Sequence, residues 1–146
     1  MTLEVVLDSS IAIAWSLGDE PWHRQAMAVA RDIATDRLGV AVAPNFGFEV
    51  RHGLIRAVRR GRLDWPAFLP RVQAIDALDL SIPITRLLDA ELRSLCREYG
   101  LSWGDTHHAL LASSLACPLL TADRRIMASL EDSGIWVEFI GDRPLD

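Results

Sequence analysis

The chain has 146 residues, half of them hydrophobic and 24% charged, a composition that fits one compact domain and excludes a disordered chain. Its two cysteines, Cys96 and Cys117, exclude a disulfide framework and form no CxxC pair, and no apolar run approaches the ~18 residues of a membrane span. The net charge is −5 and all fifteen bases are arginine, so the chain does not coat nucleic acid by bulk charge, although arginine suits phosphate well. Composition bias is the simplest account of the absent lysine. Met1-Thr2-Leu3-Glu4 carries no basic segment of a secretory signal, so a cytoplasmic location is expected.

Leu3–Leu7 is short, apolar and β-branched, and reads as a buried strand ended by Asp8. Ser9 or Ser10 caps a helix to about Leu17, and Asp19-Glu20-Pro21 opens a second helix that ends near Gly39. Val40–Ala43 is a second strand, stopped by Pro44. Phe46, Val50, Leu54 and Val58 then recur every four residues, which predicts an amphipathic helix over Asn45–Arg60, closed by Gly61. Asp64-Trp65-Pro66 opens another helix with Phe68, Val72, Ile75 and Leu78 on one face. Leu80–Ile82 reads as a brief third strand, and a helix follows from Pro83 to Tyr99, ended by Gly100. Ser102 caps a helix from Trp103 to about Leu115. Pro118–Thr121 is a fourth strand, Asp123–Leu130 a short helix, Trp136–Ile140 a fifth strand, and Gly141–Asp146 a polar tail. Strands alternating with helices predict an α/β fold: a mostly parallel sheet of about five strands, covered by helices on both faces.

In such a sheet, ligands bind outside the carboxyl ends of the strands. Asp8 and Asp123 follow predicted strands there, and Glu49 and Asp105 lie in the first turns of predicted helices. Singly, Asp8, Asp105 and Asp123 can be read as helix-terminal acids favoured by the macrodipole. Glu49 stands in an apolar stretch with Phe46, Phe48 and Val50, where an unpaired carboxylate is costly. Four converging carboxylates repel one another unless a divalent cation neutralises them, and oxygen-only ligands favour Mg²⁺ or Mn²⁺ over zinc. Such ions ionise water and stabilise a phosphodiester under in-line attack.

Val6-Leu7-Asp8-Ser9-Ser10, Ala14-Trp15 followed by Asp19-Glu20-Pro21, and Ala43-Pro44 with Glu49-Val50 and Arg59-Arg60-Gly61-Arg62-Leu63 form an ordered series. Leu101-Ser102 with Asp105 and Ala109, and Leu119-Leu120-Thr121-Ala122-Asp123-Arg124-Arg125, complete it. Each motif is short; their order and spacing are specific. From about Val5 to Ile140 the chain resembles the PIN-domain ribonucleases, and among them the VapC-type toxins of bacterial toxin–antitoxin pairs. The resemblance implies a PIN-like three-layer α/β/α sandwich, one nuclease domain over 1–146, and a Mg²⁺- or Mn²⁺-dependent endoribonuclease. By the same resemblance Asp8 and Asp105 are the principal metal ligands, and Glu49 and Asp123 complete the acidic pocket. Thr121 hydrogen-bonds a carboxylate or the attacking water; Ser9 does the same or caps a helix. The implied partners are RNA, with transfer RNA the family-based choice, a cognate antitoxin protein, and a second copy in a homodimer; no membrane is involved. The chain departs from the family pattern at His52, where many relatives have asparagine, and at Gly104 and Thr106, which flank Asp105 in place of tyrosine or alanine and of alanine.

Two other classes compete. Glu49-x-x-His52 and Asp105-x-x-His108 have the spacing of di-iron carboxylate bundles, but those need four long helices and this chain interleaves short β-branched segments. A degenerate PIN fold that only docks partners is the other alternative, and the presence of all four acids speaks against it. His52 and His108 are read as residues that hydrogen-bond a carboxylate or phosphate. His107 is ~100° from His108 around a helix, so the two cannot share a site. His23 is expected at the surface. From Arg51 to Arg71 six arginines face one acid, a local +5 that leaves −10 on the remainder, and Arg56, Arg59 and Arg60 share a helical face that either meets solvent or grips phosphate. Arg124 and Arg125 beside Asp123 are alternative grips or ion-pair partners. Trp15, Trp22 and Trp65 are candidates for interface anchors or for core packing.

Overall fold

The computed structural model describes residues 2–145. Its centre is a sheet of four short strands: β1 (Val5–Leu7), β2 (Val40–Ala41), β3 (Leu119–Thr121) and β4 (Val137–Phe139). They stand in the order β2-β1-β3-β4, and every pairing is parallel. Four helices accompany one face: α1 (Ser9–Ser16), α2 (His23–Ala34), α3 (Phe46–Arg59) and α4 (Trp65–Asp76). The other face carries α5 (Asp89–Tyr99), α6 (Trp103–Leu115) and α7 (Arg124–Ser129).

Alternation along the strands builds the two cores. Val5 and Leu7 join Val40, Val42 and Leu120 against α1 to α4, while Val6, Ala41, Ala43 and Leu119 join Ala109, Leu111 and Ala112 of α6. The sheet is therefore buried on both sides, as a parallel sheet of valine, leucine and alanine must be. The expected three-layer α/β/α architecture is present. On α3, Phe46, Val50, Leu54 and Ala57 face the first core, and Gly53 lets the helix approach α1 so closely that a Cβ would collide with Ile13.

The sheet has four strands where about five were expected. Leu80–Ile82 shrinks to one parallel bridge, Ser81 to Ala41, in which Ser81 N donates to Val40 O and Val42 N donates to Ser81 O. The next rung of a parallel ladder needs the N–H of residue 83, and Pro83 has none. The helix expected from Pro83 starts only at Asp89, where Asp89 and Glu91 supply the first-turn acids. The helix expected from Asp19 starts at His23. Asp19 and Glu20 instead engage Arg62, whose Nε and Nη2 donate to the two Asp19 oxygens at 2.8 and 2.9 Å and whose Nη2 also donates to Glu20 at 2.7 Å. The expected fifth strand ends one residue early at Phe139, and Ile140–Asp142, which takes in the start of the expected polar tail at Gly141, is a 3₁₀ turn with Ile140 buried; Asp146 lies outside the described residues.

Trp15 is buried, and Trp22 is half-buried and packs edge-on against Phe139, so of the two expected roles both take core packing. Trp65, Trp103 and Trp136 are the exposed indoles. His23 is half-buried, with Nδ1 2.8 Å from Ala14 O. Among the described residues no helix is long and apolar enough to cross a membrane.

Candidate active site

β1 and β3 are neighbours and parallel, so their carboxyl ends, Asp8 and Thr121 to Asp123, lie side by side. Asp8 is 2% exposed, and its Oδ2 accepts hydrogen bonds from Thr121 Oγ1 at 2.9 Å and from Ser10 Oγ. The two hydroxyls are themselves fixed by backbone: Ser10 Oγ accepts from Ala122 N at 2.9 Å and Thr121 Oγ1 from Asp123 N at 3.0 Å. Thr121 thus has the carboxylate partner expected of it. Of the two adjacent serines it is Ser10, not Ser9, that reaches Asp8; one step of ~100° around the helix separates them. Neither serine caps α1; Asp8 holds the cap position, and its side chain bonds the Ser10 hydroxyl but no backbone N–H of the helix.

The opposite wall comes from helix starts. Ser102 Oγ accepts from Asp105 N at 3.1 Å and caps α6, which sets Asp105 in its first turn; Glu49 is in the first turn of α3. One turn beyond Asp105, His108 is fully buried, its Nε2 hydrogen-bonded to Glu49 Oε1 and 3.8 Å from Asp8 Oδ1. His108 therefore supports carboxylates from below and does not face substrate, the correction to its place among the substrate-contacting candidates. His107 is half-buried and reaches Trp103 O instead, so the two histidines do diverge.

Glu49 has this seat because residue 104 is glycine. A Cβ there would collide with Glu49 Oε2, and Asn45 Nδ2 donates to Gly104 O at 3.3 Å across the same gap. The departure from the family pattern beside Asp105 is thus the space into which Glu49 leans. Asn45 Oδ1 and His108 Nδ1 are buried without a hydrogen-bond partner among the described residues.

The electrostatics follow from crowding. Burial, and next the charge of Asp8, push the Asp105 carboxyl above its ordinary value; Glu49 adds to the rise, while the Ser102 hydrogen bond and His108 oppose it. For His108, burial acts to lower the pKa but is outweighed by the Glu49 hydrogen bond and the charges of Asp8, Glu49 and Asp105, so the net direction is up. Asp123 is paired differently. It caps α7, its Oδ1 accepting from Arg125 N at 2.9 Å, and both its oxygens accept from the Arg125 guanidinium.

Asp8, Glu49, Asp105 and Asp123 line one open cleft, joined on its wall by Ser9, Phe48, His52 and Arg56. Arg59 and Arg60 are exposed further along α3 and do not line it. Arg124 lies over the Phe139 ring, 4.1 Å from its centroid, and also faces Trp22, a packing role in place of a phosphate grip. Ser10, Asn45, Phe48 and Gly104 are the site residues that sequence reasoning did not assign. Among the described residues no three His, Cys, Asp or Glu side chains are drawn into ready metal coordination. The donor set nevertheless fits a hard divalent cation: its exposed donors are carboxylate oxygens, and a cation relieves the repulsion that Asp105 meets from Asp8 and Glu49.

The chain is a three-layer α/β domain with an acid-lined cleft at the carboxyl edge of its parallel sheet. Residues 5–131 match the PIN domain family model, and the chain belongs to the PIN-domain family. PIN domains are generally nucleases and generally use divalent metal ions. The crystal structure of PAE2754 from Pyrobaculum aerophilum is similar with a TM-score of 0.66 at 24% identity, over 92% of this chain and 83% of that one, and shares the fold. No curated protein sequence matches this chain.

Proposed function

We propose that the protein is a Mg²⁺- or Mn²⁺-dependent endoribonuclease and the toxin of a VapC-type toxin–antitoxin pair, acting in the cytoplasm. The observation that carries this reading is the convergence on one cleft of four acids that are distant in sequence, Asp8, Glu49, Asp105 and Asp123. Asp8 and Asp105 would hold the ion, with Glu49 and Asp123 completing the pocket. When bound, the cation supplies an ionised water and neutralises charge on the phosphodiester.

The chain's own residues do the positioning. Ser10 and Thr121 fix the Asp8 carboxylate through hydroxyl donors, leaving Oδ1 for the cleft. His108 holds Glu49 against α6. Arg56, on the cleft wall, is placed to meet a backbone phosphate. The same reading includes transfer RNA as substrate, a cognate antitoxin that covers the cleft, and a homodimer. The test is incubation of the protein with single-stranded RNA and with transfer RNA, with Mn²⁺ or Mg²⁺ and with a chelator. Internal cleavage that the chelator abolishes and Asp8→Asn removes supports the reading; equal cleavage by the folded variant overturns it. Growth arrest on expression, relieved by co-expression of a short upstream reading frame, tests the toxin assignment.

A further inference from the structure

Phe48 is 76% exposed, although it sits between the buried Phe46 and Val50 on α3. Leaving a phenylalanine in water forgoes the gain of burying its ring, so its position asks for a partner. Its ring is stacked on that of His52, with centroids 6.2 Å apart and planes 8° from parallel. Arg56 stands one turn further on, so ring, ring and guanidinium form an i, i+4, i+8 row along one edge of α3. All three line the wall of the acidic cleft. Arg51, Arg62 and Arg125 are occupied by Asp76, by Asp19 with Glu20, and by Asp123, whereas Arg56 has no ion-pair partner among the described residues.

We propose that the Phe48–His52 stack is a nucleobase platform: an unpaired base of RNA lies on it, and Arg56 grips the adjoining phosphate, beside the carboxylates. The assignment rests on the ribonuclease reading of the cleft and narrows its substrate to RNA with unpaired nucleotides at the cut. Base–aromatic stacking is worth ~1–3 kcal/mol per base and tolerates any sequence, because every base has a π-face. A base inside a duplex has both faces covered by its neighbours and cannot use the platform. The neighbouring carboxylates repel phosphate, so an aromatic contact surface and one free cation are the chemistry that keeps a strand at this wall.

The test uses the full chain carrying Asp8→Asn, so that RNA binds without being cut. Fluorescence anisotropy without added metal compares a labelled single-stranded 10-mer RNA, the same strand with abasic sites, and the duplex. Phe48→Ala is expected to weaken single-strand binding by about 10-fold, Phe48→Trp to retain it, and duplex or abasic binding to be unmoved by either change. Arg56→Ala is expected to weaken all three RNAs and lower the salt slope by about one. Single-strand affinity unchanged in Phe48→Ala overturns the platform; if the parent still cleaves RNA, the ribonuclease reading survives that result. A parent chain that neither cleaves nor binds RNA overturns both.

Discussion

The two walls of the cleft hold their carboxylates by opposite means. On the sheet side, Asp8 is buried but satisfied by neutral donors, Ser10 and Thr121, which backbone amides lock in turn. On the helix side, Glu49 and Asp105 share a region with one buried imidazole, and the Asp105 carboxyl is pushed up by burial and by its acidic neighbours. On the sheet wall Asp8 Oδ2 has its hydrogen bonds and Oδ1 accepts none among the described residues. The helix wall carries negative charge that nothing in the chain fully offsets. A rigid anchor and an under-compensated partner suit a site whose function depends on binding a metal ion.

That contrast can be broken at four points. The largest effect is expected for Asp8→Asn: the amide oxygen still accepts from Thr121, so the fold persists, but RNA cleavage falls about 10³-fold, the scale of losing a group that acts on the reacting atoms. Gel-based initial rates together with circular dichroism check it. His108→Ala comes next. It leaves the half-buried Glu49 without its partner and opens a void at a fully buried position, and is expected to cost about 3 kcal/mol, read as a lower urea midpoint at unchanged m. Thr121→Val keeps the shape of the sheet wall and removes two hydrogen bonds, with an expected loss of about 1–2 kcal/mol in the same assay.

Asp105→Asn is expected to move stability the other way. The folded state raises the Asp105 pKa, so its contribution to stability is present at low pH and is lost as pH rises through the folded value. Asparagine stays neutral, so at pH 7 the metal-free variant should melt about 2 °C higher than the parent. The gap should close below the ordinary carboxylate range, where Asp105 carries its own proton. Differential scanning calorimetry across pH distinguishes this from a pH-independent packing gain.

Much of this organisation was legible in the sequence because it depends on local signals. Ser102 caps α6, Gly100 in the left-handed region (φ 67°) ends α5, and the strand β1 stops at Asp8 as its composition implies. The four acids could be placed on one edge because parallel topology puts every strand end and following helix there. What remained hidden depends on tertiary partners. The Asp19-Glu20-Pro21 signal for a helix start was diverted by Arg62, 42 residues away from Glu20. Leu80–Ile82 lost its ladder to the missing donor of Pro83. Ser9 and Ser10 are equivalent in sequence, and only the rotation of α1 selects Ser10. The seat of Glu49 needs Gly104 and His108 from another helix, a relation that no spacing along the chain encodes.

The central claim is that this cleft binds a divalent cation through both walls together. Calorimetric titration of Mn²⁺ at pH 7 into the metal-free parent, Asp8→Asn and Asp105→Asn measures it directly. Saturable Mn²⁺ uptake is expected for the parent, with its loss in both folded variants. Equal uptake by all three proteins, or none by the parent, would contradict it.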